Sequence, residues 1–234
     1  MVLPLEILDK DIDVLRELIS HPIASIRFIV KRLAQIPQKG LPNFAIGRRD
    51  EFDRSLGIET AILVRLPETD SKNQPCGRGY QASDVSLVEW AIASCGVPFE
   101  RTTFVDIGCG KGRVLILASR KPFKRIIGFD YSENLLHTCG KNLRHLGLDK
   151  RCEISLGDAA NFPFPAGELM LFLYNPFDSP LFETVLGRIR GINAPVTIAY
   201  LGPERESLVC PWLSEIGRFG SARLYRSLSP GLQC

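Results

Sequence analysis

The feature that most constrains this chain is a glycine-rich turn between an apolar strand and a helix. Residues 104–114 read Phe-Val-Asp-Ile-Gly-Cys-Gly-Lys-Gly-Arg-Val. Glycines at alternate positions favour a sharp turn in which no Cβ obstructs a ligand, and the helix that follows offers unpaired N–H groups at its N-terminus. The D-x-G-x-G-x-G spacing differs from the G-x-G-x-x-G of dinucleotide-binding folds. The turn therefore predicts a ligand site where the first strand of an α/β domain ends.

Strand and helix patterns alternate after this turn, which is typical of a parallel sheet. The strands are predicted at 104–107, 125–129, 152–156, 169–174, 196–201, 213–218 and 222–228. The helices are predicted at 84–94, 133–146 and 181–190, with Ser83 and Ser132 as caps of the first two. The last two strands are expected to form a hairpin at the sheet edge. We therefore expect a doubly wound, seven-stranded Rossmann-like α/β sheet.

Acidic residues follow the second and third predicted strands. Asp130 comes directly after the second strand, and Asp158 follows the third. In a doubly wound sheet these strand ends face the same crevice as the glycine turn. Asp130 is therefore placed to accept both hydrogens of a ribose diol, with capping of the next helix as the alternative. The Gly-Asp step that contains Asp158 is also a common turn.

Taken together, these motifs resemble those of class I S-adenosylmethionine-dependent methyltransferases. The resemblance implies that the turn containing Gly108 and Gly110 lies under the methionine part of the cofactor, with Asp106 near its amino group. It also implies that Asp158 accepts from the adenine amino group and that the backbone N–H of Ala159 meets a ring nitrogen.

The fourth strand ends in Tyr174-Asn175-Pro176-Phe177, which resembles the (Asn/Asp)-Pro-Pro-(Tyr/Phe) motif of methyltransferases that act on nitrogen. In that motif the Asn side-chain oxygen and the next backbone carbonyl accept hydrogens from the acceptor NH₂ group, which aims its lone pair at the methyl carbon. The resemblance implies catalytic positions for Asn175 and Pro176, with Tyr174 and Phe177 shaping the acceptor pocket. This chain has one proline where the motif has two, so nitrogen is favoured over oxygen without being fixed.

Residues before the first helix of the domain add to the resemblance. Tyr80 matches a segment in which an aromatic side chain covers the cofactor, although a loop tyrosine packed on the core would look the same. With residues 52–54 and 57–60, these motifs resemble a poorly characterised bacterial group of class I methyltransferase-like proteins, over roughly residues 50–228. Lys111 and Arg113 flank the last glycine and are expected in the solvated first turn of a helix.

The chain divides by pattern into two parts. Residues 1–60 are expected to form a helical N-terminal extension, and residues 61–234 the methyltransferase domain. The charged residues within 18–49 are all basic, which fits either a basic amphipathic helix at an anionic surface or a solvated helix face. A net charge of +3 is too small to imply nucleic-acid binding by itself.

The spacing of the cysteines and histidines indicates the redox compartment of the protein and whether a metal site is expected. Seven cysteines without a C-x-x-C pair predict packed thiols in a reducing cytoplasm rather than disulfides. The three histidines show no metal-ligand spacing, so no metal site is predicted. There is no apolar run long enough to span a membrane and no secretion signal, so the predicted location is cytoplasmic.

The predicted function is transfer of a methyl group from S-adenosylmethionine, which leaves S-adenosylhomocysteine, to an unidentified acceptor. Nitrogen on a protein side chain or small molecule is favoured. The alternatives are an O-directed or nucleic-acid methyltransferase and a non-catalytic module that binds the cofactor. A nicotinamide-dependent oxidoreductase is a further rival, which the spacing of the turn argues against. The acceptor, the oligomeric state and the role of the basic helix do not follow from the sequence.

Overall fold

The computed structural model describes residues 49–65, 79–176 and 178–228. The helices are α1 (Glu51–Leu56), α2 (Val85–Ser94), α3 (Arg113–Ala118), α4 (Glu133–His145) and α5 (Ser179–Arg190). The strands are β1 (Thr103–Ile107), β2 (Arg125–Asp130), β3 (Cys152–Leu156), β4 (Leu169–Tyr174), β5 (Val196–Leu201), β6 (Leu213–Phe219) and β7 (Ala222–Ser227). Short 3₁₀ turns occur at Phe99–Arg101 and Glu206–Leu208.

The strands form one seven-stranded sheet in the order β3-β2-β1-β4-β5-β7-β6. The first five are parallel, whereas β7 runs antiparallel to β5 and pairs with β6 as an edge hairpin. The strand order reverses at β1, because β2 lies on one side of it and β4 on the other. A crevice forms outside the carboxyl ends of the strands at such a reversal. The predicted doubly wound, seven-stranded fold and its edge hairpin are therefore confirmed.

Both faces of the central strands β1, β2, β4 and β5 are buried, as expected for parallel strands with helices on each side. On β4, Met170 and Phe172 pack with α2, α3 and α4 in one apolar cluster. Leu171 and Leu173 point the other way and pack with Phe182 of α5 in a second cluster. This alternation fixes the register of β4, because a slip of one residue would exchange the two faces.

The predicted helix start agrees with the structure at α4 and differs at α2 and at α5, which begins at Ser179 rather than at residue 181. Ser132 caps α4 as predicted, with its hydroxyl accepting from the backbone N–H of Leu135 at 3.4 Å. The predicted cap of α2 at Ser83 is wrong. The carboxylate of Asp84 accepts from the backbone N–H groups of Ser86 at 2.8 Å and Leu87 at 3.2 Å, so the carboxylate takes the capping position one residue later.

Several sequence predictions fall on residues outside the described ranges. These include the helices and basic face expected within residues 1–48. The boundary predicted at residue 60 therefore stays a prediction. The five cysteines in the described part of the chain are free thiols. None of the helices in those same ranges is long and apolar enough to cross a membrane.

Candidate functional site

The glycine turn after β1 is shaped by backbone conformations that other residues rarely adopt. Gly108, Gly110 and Gly112 have φ angles of +80°, +51° and +87°. The N–H groups of Gly108 and Cys109 both donate to the carbonyl of Phe129 at 3.0 Å, which ties the turn to the end of β2. The glycines are required because left-handed φ values strain residues that carry a Cβ.

The turn also leaves little space at two of these glycines. A Cβ on Gly110 would lie 2.2 Å from Cε2 of Tyr80, and a Cβ on Gly112 would lie 2.6 Å from Sγ of Cys139. The Tyr80 ring therefore rests directly on the backbone of the turn. Its hydroxyl donates to the carbonyl of Thr60 at 2.7 Å, which fixes the ring in place.

Asp130 joins the turn to the end of β2. Its Oδ2 accepts from the N–H of Gly110 at 2.9 Å, and its Oδ1 accepts from the N–H of Ser132 at 2.9 Å. These contacts hold the carboxylate beside the glycine turn. Ser132, rather than Asp130, caps α4, and the ribose contact expected of Asp130 stays a prediction.

Asp106, near the end of β1, is the unusual carboxylate of the site. It is 3% exposed, and its Oδ2 has no hydrogen-bond partner among the described residues. Burial, followed by the nearby charge of Asp130, raises the pKa of Asp106 well above the usual 3.8. A buried polar atom without a partner is costly, so this oxygen is suited to a positively charged ligand group.

These residues border a cleft that encloses about 650 Å³, part of it open to solvent. Seven of the predicted site residues line it: Tyr80, Asp106, Gly108, Asp130, Tyr174, Asn175 and Pro176. Gly110 lies beneath Tyr80 instead. The structure thus brings the glycine turn and the Asn-Pro step to the border of one space, where a Cβ on Gly108 would lie 3.5 Å from the Cβ of Pro176.

The remaining predicted site residues are placed differently. Asp158 and Ala159 do not line this cleft, and the carboxylate of Asp158 accepts from the N–H of Ala160 at 2.9 Å. Phe177 lies outside the described residues. The ligand contacts expected of these three residues stay predictions.

Asn175 follows β4 with a φ of +36°, an uncommon conformation for a residue with a side chain. Its Oδ1 accepts from Nη2 of Arg205 at 2.9 Å and lies 3.4 Å from the hydroxyl of Tyr200. Nε of Arg205 donates to the same hydroxyl at 2.9 Å. Sequence reasoning missed Arg205, and no motif marks it, since its partner lies 30 residues earlier.

The expectation of a solvated Lys111 and Arg113 is wrong. Arg113 is 5% exposed, and its Nη2 contacts the carboxylates of Asp50 at 2.6 Å and Asp53 at 3.3 Å. Lys111 is 4% exposed, and its Nζ donates to Glu59 at 2.6 Å. Both cations are buried because carboxylates from the preceding segment cover them, as buried charges require.

We call residues 50–62 the strap, because this segment crosses the glycine turn. Asp53 is completely buried and accepts from the backbone N–H groups of Thr60 at 2.6 Å and Ala61 at 2.7 Å. Nε of Arg113 donates to the Thr60 hydroxyl at 2.7 Å. Because Thr60 also holds the Tyr80 hydroxyl, the strap links Arg113 to the ring that covers the turn.

Comparison with known proteins places this cleft in a known domain. A family model described as a methyltransferase domain matches residues 104–191, from β1 to the end of α5. An rRNA N(6)-adenosine-methyltransferase of Caenorhabditis elegans, metl-5, is 28% identical over 95 residues, which are 39% of this chain and 44% of that protein. The chain thus spans less than half of that relative's length.

Solved structures resemble this chain at lower identity. The mitomycin 7-O-methyltransferase MmcR is 20% identical with a TM-score of 0.46, over 61% of this chain and 53% of that one. Geranyl diphosphate C-methyltransferase from Streptomyces coelicolor is 17% identical with a TM-score of 0.42, over 49% of this chain and 45% of that one. Scores this low leave the acceptor of this chain open.

The matched residues include the glycine turn, Asp130 and the Asn-Pro step, and they lie in a sheet whose strand order reverses at β1. Over residues 104–191 this chain is therefore similar to a methyltransferase domain.

Proposed function

We propose that this protein transfers the methyl group of S-adenosylmethionine to a nitrogen acceptor held beside Asn175 and Pro176. The observation that carries the proposal is the cleft itself, which is lined both by buried carboxylates and by the Asn-Pro step. A methyl transfer needs the donor and acceptor held in line at about 3 Å, so a site that positions both groups supplies much of the acceleration.

The carboxylate side fits S-adenosylmethionine. The unpartnered Oδ2 of Asp106 is suited to the positively charged amino group of the methionine part. The carboxylate of Asp130, which lines the cleft, is suited to accept from the ribose hydroxyls, and the Tyr80 ring covers the glycine turn. We propose Asp158 and Ala159 for the adenine ring. The cofactor, when bound, supplies a methyl group made electrophilic by the sulfonium.

The Asn-Pro side is suited to an acceptor amino group. Oδ1 of Asn175 and the backbone carbonyl of Pro176 are hydrogen-bond acceptors at the end of β4, where both residues line the cleft. Two acceptors directed at the hydrogens of an NH₂ group leave its lone pair free for the methyl carbon. Tyr174 borders the same space, and we propose that Phe177 completes the pocket.

A nucleobase amine is a second candidate acceptor. The observation that favours it is the match to a relative whose name gives an adenosine nitrogen in rRNA as its target. Protein side chains and small molecules stay equally compatible with the geometry of the cleft. Transfer of labelled methyl groups into the RNA, protein and small-molecule fractions of an extract would distinguish these acceptors.

Asn175→Ala tests the proposal. We expect this variant to lose about 100-fold in turnover, while its affinity for S-adenosylhomocysteine changes less than about threefold, because Asn175 is proposed to contact the acceptor and not the cofactor. Calorimetry would measure the affinity and labelled-methyl transfer the turnover. Equal losses in both would remove Asn175 from the acceptor role. Cofactor binding without any transfer by the wild type would favour a non-catalytic module.

A further inference from the structure

A guanidinium group lies against the residue that we propose holds the acceptor. Nη2 of Arg205 donates to Oδ1 of Asn175, and its Nε donates to the hydroxyl of Tyr200, both at 2.9 Å. Its Cζ lies 4.3 Å from the ring centroid of Phe182. Two directed hydrogen bonds and a ring contact fix the guanidinium in one orientation.

Gly202 and Tyr200 surround the contact between Arg205 and Asn175 and make it sterically possible. Gly202, just after β5, has a φ of +147°. A Cβ on it would lie 2.9 Å from both the Cβ of Asn175 and the hydroxyl oxygen of Tyr200. Tyr200 itself is completely buried. The close approach of the β5 end to Asn175 therefore requires glycine, and the platform under Arg205 is rigid.

Arg205 restricts the hydrogen bonds that Asn175 can offer. A guanidinium has donors only, so the carboxamide oxygen of Asn175 must face it. Oδ1 accepts from Nη2 of Arg205 at 2.9 Å and, over a longer distance of 3.4 Å, from the Tyr200 hydroxyl. An acceptor amine can therefore donate one hydrogen to Oδ1 by replacing the longer contact, but not two.

Arg205 also places a permanent positive charge next to that amine. A nitrogen that donates to Oδ1 of Asn175 would stand within about 6 Å of the guanidinium nitrogen that shares this oxygen. A like charge at such a distance disfavours the charged form of an ionisable group. An alkylammonium group would therefore be disfavoured at this position, whereas an uncharged amino group would not.

We infer that Arg205 is a specificity-determining residue that selects acceptors with an uncharged nitrogen, such as a carboxamide or an aromatic exocyclic amine, over alkylammonium groups. The inference rests on the proposed function, since it takes Asn175 as the acceptor contact. It deepens that function by separating two classes of nitrogen that the Asn-Pro step alone does not distinguish.

Sinefungin provides a test that needs no knowledge of the acceptor. This analogue of S-adenosylmethionine carries a protonated amine where the sulfonium carries its methyl group, so its ammonium points toward the acceptor. Calorimetry on the full chain would compare its Kd with that of S-adenosylhomocysteine. In Arg205→Met we expect the ratio of the sinefungin Kd to the S-adenosylhomocysteine Kd to fall roughly tenfold.

Three further variants make the result decisive. Arg205→Gln should lower the ratio as Arg205→Met does, and it serves as the neutral variant if the methionine protein does not fold. Arg205→Lys keeps the charge and should leave the ratio within about twofold of wild type. Arg218→Met removes an exposed charge that is paired with Glu215 on β6 and should also leave the ratio unchanged.

The outcomes distinguish a failure of the role inferred for Arg205 from a failure of the proposed methyltransferase function. An unchanged ratio in both neutral variants, or an equal fall in Arg218→Met, would overturn the role of Arg205 while leaving the methyltransferase proposal intact. Failure of the wild type to bind S-adenosylhomocysteine would overturn the proposed function itself.

Discussion

The two sides of the cleft differ in charge and in construction. The cofactor half contains the glycine turn and two buried carboxylates, Asp106 and Asp130, of which Asp130 is held by backbone N–H groups. The acceptor half contains the carboxamide of Asn175, which is held by Arg205 and Tyr200, two residues that do not themselves line the cleft. The strand order explains the division, because β1 and β2 lie on one side of the reversal and β4 and β5 on the other.

Because the two halves are built from different residues, we expect that substitutions can change the properties of one half without changing those of the other. Changes in the cofactor half should alter the affinity for S-adenosylhomocysteine. Changes in the acceptor half should alter turnover and the response to sinefungin. A substitution in one half that altered the property assigned to the other half would show that the two halves are coupled through the sheet.

Gly110→Ala should have the largest effect on cofactor affinity. The new Cβ would lie 2.2 Å from the Tyr80 ring at a φ of +51°, so either the ring or the turn must move. We expect the affinity for S-adenosylhomocysteine to fall more than about 100-fold and the free energy of unfolding to fall by about 1–3 kcal/mol. Calorimetry and denaturant unfolding would measure these changes.

Gly187→Ala is the matched control for that variant. Gly187 lies within α5, and a Cβ on it would meet nothing within 4 Å. Because alanine is the better helix former, we expect a gain of about 0.5–1 kcal/mol in stability and no change in affinity. A loss of binding by this control would show that the assay reports folding rather than the site.

Asp106→Asn should separate binding from stability. We expect the affinity for S-adenosylhomocysteine to fall about 30-fold, because the variant removes the charge that faces the ligand amino group. The ligand-free protein should melt a few degrees higher at neutral pH, because folding no longer has to bury a carboxyl group that is ionised in the unfolded chain. A variant that both bound weakly and melted lower would contradict this account of Asp106.

The raised pKa of Asp106 predicts a pH dependence of cofactor binding. The carboxyl group of the ligand-free protein keeps its proton well above its usual pKa of 3.8. A positively charged amino group favours the ionised form, so binding releases this proton. Affinity should therefore rise with pH through the raised pKa, by about tenfold per pH unit below it.

The raised pKa of Asp106 affects folding in the opposite direction, because folding stability falls as the pH rises. Since the folded state holds the proton more tightly than the unfolded state, the contribution of Asp106 to stability is full below the unfolded pKa of 3.8. It is lost as pH rises through the folded pKa. Calorimetry across pH would show the proton release, and Asp106→Asn should abolish it. A pH-independent affinity in the wild type would exclude this ionisation.

Most of the sheet was predictable because its signals are local. The strands β3, β4 and β5 begin and end at the predicted residues, since each is an apolar or β-branched run between turn-forming residues. The sheet predicts the position of Asp130, because the carboxyl ends of adjacent parallel strands meet at one edge, whereas the site positions of Asp106 and Asn175 are implied by the resemblance to class I methyltransferases.

The contacts across long sequence separations were not predictable. Arg113 forms buried ion pairs with Asp50 and Asp53, which precede it in the sequence by 63 and 60 positions. Since no local pattern shows such distant partners, a basic residue in the first turn of a helix is expected to be solvated. Arg205 reaches Asn175 only because Gly202 lets the chain pass close to it. Such partners depend on how the sheet brings segments together, which no local pattern encodes.

Asp53→Asn tests whether the strap belongs to the cofactor half. The change weakens the contacts of a completely buried carboxylate with Arg113 and Thr60. We expect a loss of about 2–4 kcal/mol in the free energy of unfolding. The affinity for S-adenosylhomocysteine should fall only about threefold, because Thr60 would hold Tyr80 less firmly over the turn.

Glu51→Gln is the control for the strap, because Glu51 is an exposed acid on the same short helix α1. It should change both quantities little, by less than about 0.5 kcal/mol in stability. If Asp53→Asn left the affinity unchanged in spite of its effect on stability, the strap would act on folding alone and the cofactor half would end at Tyr80.

Tyr200→Phe should have the smallest effect on the affinity for the cofactor. It therefore tests whether the two halves of the cleft are independent. It removes the hydroxyl that accepts from Nε of Arg205 at 2.9 Å, which should cost about 1 kcal/mol of stability. Affinity for S-adenosylhomocysteine should stay within about twofold of wild type, because the hydroxyl faces the acceptor half. Turnover should fall, because Arg205 and Asn175 would lose their common anchor. A larger change in affinity than in turnover would mean that Tyr200 transmits strain along β5 to the cofactor half, and the two halves would then have to be treated as one site.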